Sequence, residues 1–218
     1  MANILSVDQL SKAYTEKWLF QSITFGIQKG EKVALVGSNG TGKTTLLKTI
    51  AGEIEADSGS FALSKGASVY YLPQEPQLPL DQTIKETIYG DDNPVVNTIK
   101  AYEQLILEEN ADPDAMQVLL DEMTRLDAWE FETKANQVLA KLGIEDLDVK
   151  NNSLSGGQQK RVALAQMLLY QPDLIIMDEP TNHLDLEAIE WLENLLKAQN
   201  ITLLMVTHDR YFLDQVSN

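Results

Sequence analysis

Apolar and polar residues alternate through the first thirty positions, in ILSVDQLSKAY and again in WLFQSITFGIQKG, which ends on Lys29 and Gly30. A period of two marks strands with one buried face, so this stretch predicts an antiparallel β layer. The pattern then changes. KVALVG is a continuous apolar run of strand length, and so are LIIM, from Leu174 to Met177, and ITLLMV, from Ile201 to Val206. Such runs belong to strands covered on both faces, as in a parallel sheet. Each is followed at once by polar, reactive residue types. Ligands of open α/β sheets bind beyond the carboxyl ends of parallel strands, so the three ends are expected to converge on one site. Between the runs the periodicity is helical: TTLLKTIAG, then PVVNTIKAYEQLI and DAMQVLLDEMTRL as an antiparallel pair, then VALAQMLL. Asn93 and Pro94 make a helix start, and Asp112-Pro113 marks the turn within the pair.

The end of the first buried run carries the most specific chemistry. Gly37, Ser38, Asn39, Gly40, Thr41, Gly42, Lys43 and Thr44 fit GxxxxGK[ST], between a buried strand and a helical stretch opened by Thr44 and Thr45. Glycines let the backbone curl until several N–H groups point inward at phosphate oxygens, and the positive end of the following helix adds attraction. Lys43 is expected to reach the β and γ phosphates as a point charge, and the Thr44 hydroxyl to ligate Mg²⁺. At the second end, LIIMDEP sets Asp178 and Glu179 side by side. The first carboxylate suits Mg²⁺, directly or through water. Glu179 is the better candidate for polarising an attacking water. Read alone, DEP is an acidic turn; beside a phosphate loop it reads as catalytic. At the third end stand Thr207, His208 and Asp209, where a neutral imidazole would hold a γ phosphate and a water in line.

A further segment, LSGGQQKR, precedes VALAQMLL. Ser155 and Gln158 have the spacing of a capping box, so the segment starts a helix that buries Val162, Leu164, Ala165 and Leu168. A cap does not call for Gly156 and Gly157, which cost backbone entropy and leave N–H groups bare for close approach. The segment reads as a second phosphate-binding helix terminus, serving another nucleotide or one held by a different molecule.

Charge narrows the classes. The chain has 218 residues, a formal net charge of -16 and no cysteine. Its length suits one domain, or a domain with an inserted subdomain. Absence of cysteine excludes disulfides and thiolate metal sites and suits a reducing cytoplasm. The negative charge argues against broad nucleic-acid binding, which needs clustered Lys and Arg. It is concentrated: from Asp91 to Glu132 twelve acids stand against only Lys100 and Arg125. Such a surface repels phosphate, so RNA contact through these helices is not expected. No run approaches the ~20 apolar residues of a bilayer span. MANILSVDQL lacks the basic start and apolar stretch of a signal peptide, and a cytoplasmic protein without membrane contact is expected.

Taken in order, GSNGTGKT, LSGGQ, LIIMDEP and THD resemble the Walker A, signature, Walker B and switch-histidine elements of an ABC ATPase nucleotide-binding domain. The resemblance spans essentially the whole chain. It implies an α/β fold: a P-loop NTPase core with a mainly parallel sheet, an N-terminal antiparallel β subdomain and an inserted α-helical subdomain. It implies ATP and Mg²⁺ as ligands, and head-to-tail pairing with a second cassette. Ser155, Gly156, Gly157 and Gln158 would then close over ATP held by the partner's phosphate loop. Tyr14 matches the aromatic that stacks on adenine, and Gln74, in YLPQEP, the glutamine that touches Mg²⁺ and senses the γ phosphate. Asn182-His183-Leu184-Asp185 matches the D-loop. TNHLDLEAIEWLE and VTHDRYFLD resemble the ABC-F proteins, soluble members with two cassettes in one polypeptide, and the layout is closest to the Uup-like branch. Many ABC-F members act on the ribosome. This implies a first cassette with residues 1–82 and 154–218 as the ATP-binding core and 83–153 as a helical subdomain containing a short arm-like hairpin. A linker and second cassette are expected to follow. The alternatives are the ATPase subunit of a transporter, against which THDRYFLD speaks, and an ATP-dependent DNA-associated clamp.

Overall fold

In a computed structural model the chain is described for residues 3–15, 17–90, 93–107, 112–198 and 200–217. Strands β1 (Asn3–Tyr14), β2 (Lys17–Gln28) and β3 (Lys32–Leu35) lead into α1 (Lys43–Ile50), β4 (Ser58–Leu63) and β5 (Val69–Leu72). Helices α2 (Ile84–Tyr89), α3 (Pro94–Ile106), α4 (Pro113–Arg125), α5 (Phe131–Lys141) and α6 (Gly156–Tyr170) follow. The order closes with β6 (Leu174–Asp178), α7 (Leu186–Ala198), β7 (Leu203–Val206) and α8 (Arg210–Val216). These elements form two compact units, residues 1–75 with 172–218, and residues 76–171.

In the first unit the alternating stretch forms the antiparallel sheet, in the order β2-β1-β4. Leu5, Val7 and Leu10 of β1 are buried, although Leu10 is out of phase with the other two. A bulge restores the phase. Val7 pairs with Phe25 and Leu10 with Ile23, so Asp8 and Gln9 together oppose Thr24. Gln9 takes a φ of 49°, and its N–H donates to the Thr24 hydroxyl at 2.9 Å. The extra residue keeps the apolar set on one face, which a strict period of two would have reversed.

The continuous apolar runs form the parallel sheet, in the order β3-β7-β6-β5. β6 and β7 are buried along their whole length. β3 differs from expectation: all four of its residues are only partly covered, and Val36 beyond it is 80% exposed. It is a short strand with a single neighbour, so one side lacks the cover that β6 and β7 receive. Leu35 and Asp178 both pair with Val206, which sets the carboxyl ends of β3, β7 and β6 in one row. One core joins Leu5, Leu10 and Ile27 of the antiparallel layer to Leu47 and Ile50 of α1 and to Ile176 and Leu204. Each such side chain contributes about 1.5–3 kcal/mol of burial.

The second unit is built around α6, where Val162 to Ala165 and Met167 to Leu169 are all buried. A helix apolar on every side must be surrounded, and α6 packs against α2, α3 and α5. That packing places it in the unit of residues 76–171, whereas the resemblance groups residues 1–82 and 154–218 as the ATP-binding core. α3 starts where Asn93 Oδ1 accepts the N–H groups of Val95 and Val96. Asp112 and Pro113, expected in the turn, are the cap and first residue of α4. α3 and α4 pack on each other. Of the acids in this region, Asp91, Asp92, Glu108 and Glu109 lie outside the described residues. Among the described residues, no helix is long and apolar enough to cross a membrane.

Candidate functional site

β3 delivers the chain to the row of strand ends, and the loop beyond it curls around its own lysine. Lys43 Nζ donates to the carbonyl oxygens of Gly37 and Ser38, each at 2.8 Å. The Thr41 hydroxyl donates to the Ser38 carbonyl at 2.9 Å. Gly42 closes the loop at a φ of 86°, and a Cβ there would stand 2.9 Å from Leu19 Cβ. Glycine alone meets both demands without strain. No side chain caps α1, so the N–H groups of its first turn remain available to an anion.

Asp178 ends β6 with 1% exposure. Glu179, one step on, has a φ of 48°, a conformation that costs a non-glycine residue about 1–3 kcal/mol. Neighbouring bonds hold it there. Its N–H donates to the Val206 carbonyl at 2.8 Å, and its Oε2 accepts the His208 N–H at 3.1 Å. Oε1 is buried and has no hydrogen-bond partner among the described residues; His208 Nε2 lies 3.5 Å from it. The His208 ring is half exposed. In β5, burial first, and then the charges of Asp178 and Glu53, push the Tyr71 hydroxyl up, so it stays neutral beside the carboxylate.

A cavity of about 460 Å³ opens over these strand ends. Of the residues expected from sequence, Asn39, Gly40, Gly42, Lys43, Thr44, Thr45, Gln74, Asp178, Glu179 and His208 line it. Gly37, Ser38 and Thr41 are exposed and are not among the lining residues; they shape the loop through the bonds to Lys43 and within it. Tyr14, at the end of β1 and 75% exposed, is not among the lining residues. Leu19 and Val206 line the cavity without having been expected there, and Asn182, matched only to the D-loop, does too. Thr44, Gln74 and Asp178 bring a hydroxyl, an amide and a carboxylate to one cavity, oxygen donors that suit Mg²⁺. Among the described residues no cluster of three or more acidic or histidine side chains could hold a metal. A cation bound here would therefore draw its remaining ligands from phosphate and water.

Ser155 to Gln158 lie in the other unit, at the start of α6. The Gln158 N–H donates to Ser155 Oγ at 3.3 Å, and the Ser155 N–H donates to Gln158 Oε1 at 2.9 Å. The capping box is thus complete. Within that unit nothing lies within 4 Å of a Cβ placed on Gly156, so local packing does not require a glycine there.

The ABC transporter family matches residues 20–182. The ABC transporter ATP-binding protein YfmR of Bacillus subtilis is 45% identical over 222 residues, which cover 99% of this chain and 35% of the relative. The energy-dependent translational throttle protein EttA of Mycobacterium tuberculosis is 36% identical over 219 residues, covering 98% of this chain and 39% of the relative. The chain thus spans between a third and two fifths of these relatives' length. Among solved structures, the ATP binding subunit of an ABC transporter matches with a TM-score of 0.72 at 25% identity, covering 98% of this chain and 83% of that one.

Proposed function

We propose that this chain, which belongs to the ABC transporter family and has its ATPase fold, is the first of two cassettes in an ABC-F protein of the Uup-like branch that acts on the ribosome. ATP-binding domains of this family are ATPases and work as pairs of cassettes, so hydrolysis of ATP is the chemistry of the domain. Support for the finer reading comes from TNHLDLEAIEWLE and VTHDRYFLD, and from EttA, whose name makes it a translational throttle. Coverage of 35% and 39% of the two relatives suits one cassette of two. A second reading, the ATPase subunit of a transporter, draws on the match to such a subunit. A second GxxxxGK[ST] and LSGGQ in the same reading frame would separate the two.

The observation that carries the mechanism is the Glu179 carboxylate, fixed through Oε2 while Oε1 stays buried without a partner among the described residues, on the cavity that holds Lys43. A buried acceptor left unpaired costs about 1–3 kcal/mol, and a water donating to Oε1 removes that cost. On this reading Glu179 is the general base: the water oxygen bonds to the γ phosphorus, the bridging P–O bond breaks with its oxygen leaving on ADP, and the water proton passes to the carboxylate. His208 holds the γ phosphate and the water in line. Lys43 steadies the β and γ phosphates while the backbone of Gly37 to Gly42 and the start of α1, at Thr44 and Thr45, surround them. Thr44, Gln74 and Asp178 would hold Mg²⁺, which when bound draws off negative charge from the phosphates. Exposed Tyr14 is free to stack on adenine, and Ser155, Gly156, Gly157 and Gln158 close over ATP on the partner cassette.

The test uses the full-length protein carrying Glu179→Gln. Nucleotide affinity is expected to stay within about threefold of the parent while turnover falls at least about a hundredfold. With ATP, the variant should co-sediment with ribosomes. Turnover at the parent rate would remove Glu179 from its role, whereas lost turnover without ATP-dependent co-sedimentation would remove the ribosome.

A further inference from the structure

The helical unit holds a cavity of its own, of about 370 Å³, and four of its eleven lining residues are aromatic. Tyr89 at the end of α2, Tyr102 on α3, Trp129 in a 3₁₀ turn at Ala128–Glu130 and Phe131 at the start of α5 all line it. They form two edge-to-face pairs. Tyr102 and Trp129 meet at 5.2 Å and 83°, Tyr89 and Phe131 at 6.0 Å and 82°. Rings crossed at right angles offer π faces in more than one direction, and a π face is the negative part of an aromatic. Trp129 is 54% exposed, so its ring remains within reach from solvent.

Charge points the same way. The carboxylate-bearing Glu103 and Glu132 share the lining with Lys100, and all three are exposed. Burial, and then the Glu132 charge, push the Tyr89 phenol up, so that ring stays neutral beside the acid. Among the described residues from Asn93 to Glu132, eight acids stand against Lys100 and Arg125, and a surface of that balance gathers cations and turns polyanions away. A cation between π faces gains attraction that grows as its water is stripped. The volume admits one long side chain rather than a helix.

We propose that this cavity docks a basic polypeptide, taking one of its arginine or lysine side chains against the exposed Trp129 ring, which the edge-to-face contact with Tyr102 holds in place, while Glu103 and Glu132 of the lining pair with the neighbouring basic residues. The docking is separate from the nucleotide chemistry, because no residue of this lining belongs to the strand-end cavity.

Calorimetric titration at physiological ionic strength tests it, with a short peptide of alternating arginine and glycine as probe and the same peptide carrying neutral citrulline as its counterpart. The arginine peptide should bind at least about tenfold more tightly than the citrulline peptide. Trp129→Ala is expected to weaken the arginine peptide about tenfold, and Trp129→Phe, which restores a ring, to recover most of that loss. Glu103→Gln with Glu132→Gln should weaken it about fivefold, against no more than about twofold for Asp114→Asn with Asp121→Asn, acids off the lining. Recovery by Trp129→Phe distinguishes a lost ring face from a lost fold. Failure of the parent to bind the arginine peptide, equal binding of both peptides, or equal affinity of parent and Trp129→Ala would each overturn the proposal. So would equal losses from the two acid pairs, which would mean diffuse attraction to the surface.

Discussion

Glu193 on α7 is 5% exposed, and its Oε1 has no hydrogen-bond partner among the described residues. Burial pushes its pKa up, Lys197 pulls against it, and Asp209 and Glu190 add to the rise. A carboxyl with a raised folded pKa binds its proton more tightly folded than unfolded. Its favourable contribution is therefore present at low pH and lost as pH climbs from the ordinary value of 4.5 through the raised one. Glu193→Gln removes the buried charge, so it should stabilise the protein by about 1 kcal/mol at neutral pH, with the gain shrinking as pH falls toward that ordinary value. Thermal melts of parent and variant at the two ends of that window check this; a less stable variant at neutral pH would mean that the carboxylate is well paired. Asp178, Glu179 and His208 are legible in sequence because each follows an apolar run, and a run that ends in reactive residues places them at a strand end. Leu19 is not legible. Its position against Gly42 arises from how β2 packs near the phosphate loop, a contact between distant segments that no periodicity encodes. Nor does any local pattern mark the left-handed backbone of Glu179.

For elements, the alternation gives the antiparallel layer away, yet the bulge at Asp8 and Gln9 shows only as a skipped position between Val7 and Leu10. α6 shows the limit of pattern more clearly. The resemblance groups it with the ATP-binding core, but its all-round apolar surface requires helices on every side, and helices are what it packs against. The same helix offers a sharp test at Gly156. Alanine is the better helix former by about 0.5–1 kcal/mol, and nothing in the unit meets the added methyl. Gly156→Ala should therefore melt at the parent temperature or slightly above it. If the terminus of α6 closes over phosphate on a partner cassette, the methyl intrudes there and turnover should drop between about ten- and a hundredfold. Melting and turnover measured on one preparation decide it: stability lost in step with activity would make the glycine a packing requirement of the helix instead.

At the scale of the whole molecule, the phosphate loop and the signature segment lie in different compact units, and each ATP is proposed to need a signature from a second cassette. An isolated chain then turns over only when two copies meet, so its rate per chain should rise with protein concentration and level off once pairing saturates. Each copy carries a formal net charge of -16, and copies of like charge repel. Added salt shortens the reach of that repulsion to about 8 Å at physiological strength. Activity of the isolated chain at low concentration should accordingly increase between low and physiological salt. Two cassettes on one polypeptide meet at an effective concentration in the millimolar range, so the full-length protein should show neither dependence. Steady-state phosphate release over a dilution series at two ionic strengths reads both effects. A specific activity that stays constant on dilution of the isolated chain would show that one copy completes its own site, and the signature would then need a role other than closing over a partner's ATP.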